Sequence, residues 1–382
     1  MVILKYILMR AICLVATACL ALVISACSDS SSNSPRDVPG DDILMNQLQY
    51  LGTHNSYHKR LRPDLFVFLV EFDERLAETL DYAHIPLQEQ FENQGIRQIE
   101  LDVFYDPQGG LYANRQALTL VGEDTASGIP ELSEPGLKVL HVQEVDYETT
   151  CYTFISCLNE IKTWSDAHPG HLPITVLVEA KDEEIPDPGL NFVIPLEFGV
   201  EALNLIDTEI LSVFPPEQLI LPDDVRGDSI TLESAVLNQG WPRLSQARGK
   251  IMFALDNTDS IRDHYIVGHP SLEGRVLFTS SPEGTPEAAF MKRNNPLDNT
   301  GEIEYLVKQG YMVRTRADAD TDQARSGDTT RREAALASGA HFISTDYPVP
   351  DPKFSDYQVR IPGGKIARCN PVNPGDCTAD LL

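Results

Sequence analysis

Four stretches of the chain repeat one hydrophobic–polar phrase: "FENQGIRQIELDVF", "SQARGKIMFALDN", "LVKQGYMVRTRAD" and "LASGAHFISTDY". Each reads as the end of an amphipathic helix, then a glycine suited to a left-handed cap, then an apolar run that ends in polar residues. Gly95, Gly249, Gly310 and Gly339 hold the cap position. Runs that stay apolar through their length fit parallel strands buried on both faces. With the other apolar runs the count is eight: 47–53, 97–103, 138–142, 174–180, 250–256, 275–279, 311–316 and 341–345. Helical spacing fills the gaps, with Phe154, Leu158 and Ile161 on one face and Leu203, Ile206 and Ile210 on another. Eight alternating strands and helices predict an α/β protein built as a (β/α)8 barrel. A doubly wound sheet is the competing architecture, but no glycine-rich phosphate loop follows any strand.

The two ends of the chain follow a different pattern. "MVILKYILMRAICLVATACLALVISA", residues 1–26, has a lightly basic start, an apolar run and small residues at its end, as in a secretory signal. The run stops at "ISAC", which resembles the bacterial lipobox, with Cys27 as the lipidated residue. Residues 27–44, largely "SDSSSNSPRDVPGDD", predict a flexible tether. The expectation is an exported protein, lipid-anchored in the cell envelope (the outer membrane in a Gram-negative host) or secreted. Residues 45–360 form the barrel domain, with no second boundary, and 361–382 a tail stapled to the surface.

Composition adds two constraints. The formal charge is −27, or −29 once Lys5 and Arg10 leave with the signal, so the chain repels nucleic acid. Of seven cysteines, Cys13 and Cys19 lie in the signal and Cys27 takes lipid. Cys151, Cys157, Cys369 and Cys377 remain. An even set in an exported chain predicts two disulfides in one of three pairings, proximity favouring Cys151–Cys157 and Cys369–Cys377.

Functional groups of such a barrel gather at the carboxyl ends of its strands. Those ends carry His54 and Asn55, then Glu100 and Asp102, then His141, then Glu179 and Lys181. Glu100 and Asp102 are two apart on a strand and point to one side. Three carboxylates facing one mouth require a cation. The all-oxygen set Asn55, Glu100, Asp102 and Glu179 favours a hard ion, with Ca2+ the better fit to an irregular cage. Two histidines beside it suit phosphodiester cleavage, one imidazole taking a proton from the nucleophile and the other giving one to the leaving oxygen.

At "THNSY", "IELDVF", "KVLHV" and "VLVEAKD" the chain resembles the calcium-dependent phosphatidylinositol-specific phospholipases C, over roughly residues 47–346. "VRTRADADTDQARSGDTTRREAALASGAHFISTDYP" resembles the closing segment of their bacterial secreted branch. The resemblance implies a phosphodiesterase of the phospholipase C barrel type that cleaves phosphatidylinositol at a membrane surface into diacylglycerol and cyclic inositol phosphate. His54 and His141 would be the acid–base pair, Asn55, Glu100, Asp102 and Glu179 the Ca2+ ligands, and Lys181 and Arg316 substrate-binding groups in a monomer. Glycerophosphodiester phosphodiesterases share the barrel but show His-Arg-Gly where this chain has His54-Asn55-Ser56. A non-catalytic ligand-binding surface lipoprotein is the other alternative, opposed by the intact histidines and carboxylates.

The remaining histidines bear on that reading. His58, His84, His168, His171, His264 and His269 lie in loop-like contexts and are expected in solvent, and His341 in the core. "RLRPDLFVFLVEF", residues 60–72, is an apolar insertion after strand one, readable either as a lipid-facing rim or as a core helix.

Overall fold

The computed structural model describes residues 40–379. The signal, Cys27 and the tether through residue 39 lie outside the described residues. In chain order the strands are β1 (Leu48–Thr53), β2 (Gln98–Phe104), β3 (Lys138–Val139), β4 (Ile174–Ala180), β5 (Ile251–Leu255), β6 (Leu277–Thr279), β7 (Phe290–Lys292), β8 (Met312–Arg316), β9 (Phe342–Thr345) and β10 (Ala367–Cys369). Eight of them run parallel in the order β6-β5-β4-β2-β1-β9-β8-β7. One parallel bridge between Ser280 and Phe290 joins the two ends, so the barrel is nearly closed.

The repeated phrase explains this geometry. All seven residues of β2 and six of the seven in β4 are buried, as expected of strands covered on both faces. Helix Phe154–Ala167 lays Phe154, Leu158 and Ile161 on the sheet. Its start is fixed by a capping box in which the Thr153 hydroxyl accepts from Ser156 N at 3.1 Å and the Ser156 hydroxyl accepts from Thr153 N at 3.2 Å. Helix Val200–Val213 buries Leu203, Ile206 and Ile210 in the same way. Each such side chain stabilises the fold by roughly 1.5–3 kcal/mol. Gly95, Gly249, Gly310 and Gly339 all have positive φ. At Gly310, where φ is 113°, a Cβ would also lie 2.8 Å from the Val236 carbonyl oxygen, so only glycine both ends helix Pro296–Gln309 and lets the chain turn into β8.

The predicted number of strands is right, but one member differs. The run 138–142 is not a barrel strand: only Lys138 and Val139 are extended, antiparallel to the end of β2 (Val103↔Val139, Phe104↔Lys138). The place beside β2 belongs to β4, which pairs with it from Gln98↔Thr175 through Val103↔Ala180 and leaves no parallel edge free. The eighth barrel strand is β7, only three residues long.

The domain edges also shift. Residues 40–44, assigned to the tether on sequence, pack on the barrel, with Ile43 buried and Leu44 bridged to Arg243. The carboxyl-terminal segment does more than lie on the surface, because β10 adds antiparallel to β1 (Leu48↔Cys369, Tyr50↔Ala367). Cys369 is joined to Cys377, and Cys151 to Cys157.

Candidate active site

The chain leaves β1 through Thr53 and turns at Asn55, whose φ of 43° is a left-handed value that asparagine tolerates better than most residues. This turn directs the two neighbouring side chains to different tasks. His54 Nδ1 is 2.8 Å from Asp346 Oδ1, at the end of β9, and His54 Nε2 is 3.6 Å from Glu100 Oε1. Asn55 is buried, its Nδ2 donating to the Tyr82 hydroxyl at 2.8 Å while its Oδ1 has no partner among the described residues.

Glu100 and Asp102 stand two apart on β2, and register places Asp102 beside Glu179 of β4. One carboxylate oxygen from each of Glu100, Asp102 and Glu179 lies within 4.8 Å of the others. Neither oxygen of buried Asp102 makes a hydrogen bond to any of the described residues. Lys181 Nζ stands 3.7 Å from Asp102 and 3.9 Å from Glu179, and Glu100 Oε2 accepts from Arg314 Nη2 at 2.5 Å. Burial pushes the Glu100 carboxyl up to about 7, against the pull of Arg314, and raises Asp102 well above the usual carboxylate range, with Glu179 adding to the rise. Buried carboxylates this close together are stabilised by a cation between them. The orphaned oxygens of Asn55 and Asp102 and the all-oxygen donor set fit Ca2+.

His141 lies in the long excursion between β2 and β4. Its Nδ1 is 2.8 Å from Asp146 Oδ2, and the same carboxylate is bonded by His58 Nε2 at 2.9 and 2.8 Å. Burial lowers His54 to about 3, with Arg316 pushing the same way and Asp346 opposing. Burial also lowers His141, against its bond to Asp146. Burial alone would raise the two aspartates. Their imidazole partners outweigh it, holding Asp146 at about 2 and Asp346 below the usual range, the latter with help from Arg316.

Of the eight side chains expected on sequence, Glu100, Asp102 and Glu179 come together beside Lys181, His54 reaches Glu100, Arg316 meets His54's partner Asp346, and Asn55 and His141 connect to this group through Tyr82 and His58. Lys181 and Arg316 are both ion-paired, Arg316 Nη2 standing 3.2 Å from Asp346 Oδ2. Sequence reasoning missed Asp346, Asp146 and Tyr82, and also Asp256 and Lys292, which form an ion pair after β5 and at β7. Asp346 and Asp256 could have been found by the strand-end rule already applied to Glu100 and Asp102. Asp146 sits in a loop with no periodic signal. Three expectations about histidines need correcting: His58 (fully buried), His84 (8% exposed) and His171 (7% exposed) are not in solvent. Each has ring partners that offset its burial: Asp146 for His58, the His54 carbonyl for His84, and the Ser165 hydroxyl and Leu172 carbonyl for His171. His341 is in the core as expected, with Nδ1 accepting from Val313 N and Nε2 bonded to the Asn46 carbonyl.

Residues 43–371 match the model of the Ca2+-dependent phosphoinositide phospholipases C, and the chain belongs to that family. It is thus a calcium-dependent phosphodiesterase of phosphatidylinositol lipids. Its fold is similar to that of the calcium-dependent phosphoinositol-specific phospholipase C of a Gram-negative Pseudomonas species. The apo form of that protein is 17% identical, with a TM-score of 0.52 over 87% of this chain and 97% of the other. Its myo-inositol complex is 16% identical, with a TM-score of 0.52 over 86% and 96%. No curated protein matches the chain.

Proposed function

We propose that His54 and His141 are the acid–base pair of a cyclising cleavage. The observation that carries this reading is that each imidazole is held through Nδ1 by a buried aspartate at 2.8 Å, which leaves Nε2 as the working nitrogen. His54, whose Nε2 faces the carboxylate cage, takes the proton of the inositol 2-hydroxyl as its oxygen bonds to phosphorus. The phosphorus–glycerol oxygen bond breaks, and His141 gives its proton to the departing diacylglycerol. Asp346 and Asp146 stabilise the imidazolium form of each ring and fix its tautomer. Asn55, Glu100, Asp102 and Glu179 would hold calcium, which when bound would supply positive charge to the phosphate and favour loss of the hydroxyl proton.

Lys181 and Arg316 serve as groups that contact the phosphate or inositol hydroxyls. The cations at the mouth are already matched: Lys181 with Asp102, Arg314 with Glu100, Arg316 with Asp346 and Lys292 with Asp256. That pairing supports unphosphorylated phosphatidylinositol as the preferred headgroup over its bisphosphate.

The enzyme acts as a monomer at a lipid surface. Segment 60–72 supports this, being partly core and partly rim: helix Pro63–Phe72 buries Leu65 and Leu69 and exposes Val67, Phe68 and Phe72, the last by 74%. Export is supported by the signal pattern and by two disulfides, and anchoring by the lipobox at Cys27. Among the described residues no helix is long and apolar enough to cross a membrane.

The test is phosphorus NMR of the enzyme with phosphatidylinositol and calcium. Cyclic inositol phosphate appears before any acyclic product, because the neighbouring hydroxyl reacts intramolecularly. Acyclic phosphate as the first product would overturn the cyclising step.

A further inference from the structure

Behind His141 lies a buried histidine that the proposed chemistry does not use. His58 is fully buried, yet it bonds both oxygens of Asp146, at 2.9 and 2.8 Å, while Asp146 Oδ2 also faces His141 Nδ1. Asp146 itself is wholly buried, and one carboxylate is thus shared between two imidazoles. We propose that His58 is a positioning residue for the reaction, fixing the plane of Asp146 so that His141 keeps its Nδ1–H on that carboxylate and presents Nε2, with the proton it gives, to the leaving oxygen. This rests on assigning His141 to the acid–base pair.

The geometry shows why a second imidazole is useful. A carboxylate bonded at one oxygen only can swing about its Cβ–Cγ bond, and the imidazole it holds swings with it. The Nε2–H of His58, directed between the two oxygens, removes that freedom. His58 is itself immobilised. Its ring stacks on Tyr82 with centroids 4.3 Å apart and stands edge-on to His141 at 5.6 Å. Its backbone N donates to the Asn55 carbonyl at 2.9 Å, its carbonyl accepts from His84 N at 2.9 Å, and the residue is bridged to Thr149. Among the described residues His58 Nδ1 has no hydrogen-bond partner, and the polar contacts of the ring are those with Asp146. A residue kept for packing alone would need no bonds to both oxygens of a buried carboxylate. The same Tyr82 that packs on His58 accepts from Asn55 Nδ2, so one stacked pair braces both Asp146's partner and the Asn55 amide.

The test compares three variants of the full-length, calcium-loaded enzyme. His58→Phe fills the space without the N–H and lowers kcat by about 10- to 100-fold, the scale seen when an outer partner of a functional group is lost, with KM and the calcium midpoint unchanged. His58→Gln, which carries an amide N–H near the Nε2 position, restores kcat to within about threefold of wild type. Wild-type kcat in the Phe variant, or equal damage in both, overturns the proposal. His141→Ala separates the two readings: if it is fully active the acid–base assignment fails, whereas if it is inactive while His58→Phe is unaffected only the positioning role fails. Should His58→Phe not fold, nitrogen-15 spectra of wild-type histidines decide. The expected pattern is Nδ1–H on His141 with Nε2–H on His58, and Nε2–H on a neutral His141 overturns the inference.

Discussion

His54 and His141 have the same partner at the same distance, a buried aspartate 2.8 Å from Nδ1, but the two pairs are built differently. His54 and Asp346 follow β1 and β9, which are adjacent strands in register from Tyr50↔Phe342 to Thr53↔Thr345. The sheet places both partners, and their geometry follows from its hydrogen bonds. His141 and Asp146 lie in an excursion outside the barrel, held not by barrel strands but by a tight turn that two reciprocal backbone bonds between Val142 and Asp146 close, at 2.9 and 3.0 Å. Here the structure adds clamps: the Cys151–Cys157 disulfide, the bond from Thr150 N to the Tyr57 carbonyl, and the shared carboxylate with His58. A strand end needs little support to hold a catalytic group, whereas a loop must be tied at several points.

The largest effect expected is on what the two halves share. Chelation with EGTA abolishes turnover and lowers Tm, because the three carboxylates lose the cation that permits their charge; full activity after exhaustive chelation would remove the cage from the reaction. Next come the histidines themselves. His54→Ala and His141→Ala each lower kcat by at least about a hundredfold; if only one does, the symmetry between the halves is broken. A smaller effect separates sheet from loop. Replacing Cys151 and Cys157 by serine lowers kcat by about tenfold, by analogy with the loss of other outer supports, while the same change at Cys369 and Cys377 lowers Tm and leaves kcat alone. Equal kcat losses from both disulfides would show that the loop is not specially dependent on its clamp.

The smallest effect concerns the foot of the excursion, where buried Glu209 accepts from Leu137 N at 2.9 Å. Burial pushes its carboxyl from 4.5 up to about 7, against that bond and Lys138. Because the folded-state value is the higher one, the native protein binds the extra proton between those limits. The stabilisation present at pH 4.5 is lost as pH rises through about 7. Glu209→Gln, always neutral, therefore raises Tm by a few degrees at pH 8 and hardly at all at pH 4.5. A thermal scan with the same shift at both pH values would contradict the assignment.

The same contrast marks what the sequence could reveal. Strands β1, β2, β4, β5, β8 and β9 were legible because each carries several apolar residues, most of them after a helix and a capping glycine. β7 was not, since Phe290, Met291 and Lys292 are too few to show a period and no helix lies between β6 and β7. The 138–142 run looked like a strand because its local chemistry is the same, down to Gly136 with positive φ before it. What distinguishes it is a competitor for the edge of β2, and β4 lies 35 residues further on in the chain. The site followed suit. His54, Asn55, Glu100, Asp102 and Glu179 stand at predicted strand ends, whereas the linkage of His58 to Asp146, 88 residues away, depends on a loop path that periodicity does not encode.

β1 meets β2 in register at one residue pair, Gly52↔Gln98, but meets β9 at four and β10 at three. Its main partners therefore come from the opposite end of the chain, Gln49 lying 319 residues from Arg368, whose Nε donates to its side-chain oxygen at 2.8 Å. Contacts that distant form late and slowly. While the polypeptide is being made, the strand that precedes His54 has almost nothing to pair with. The barrel cannot close until the segment that forms β9 has been made, so a chain still in synthesis holds no completed site.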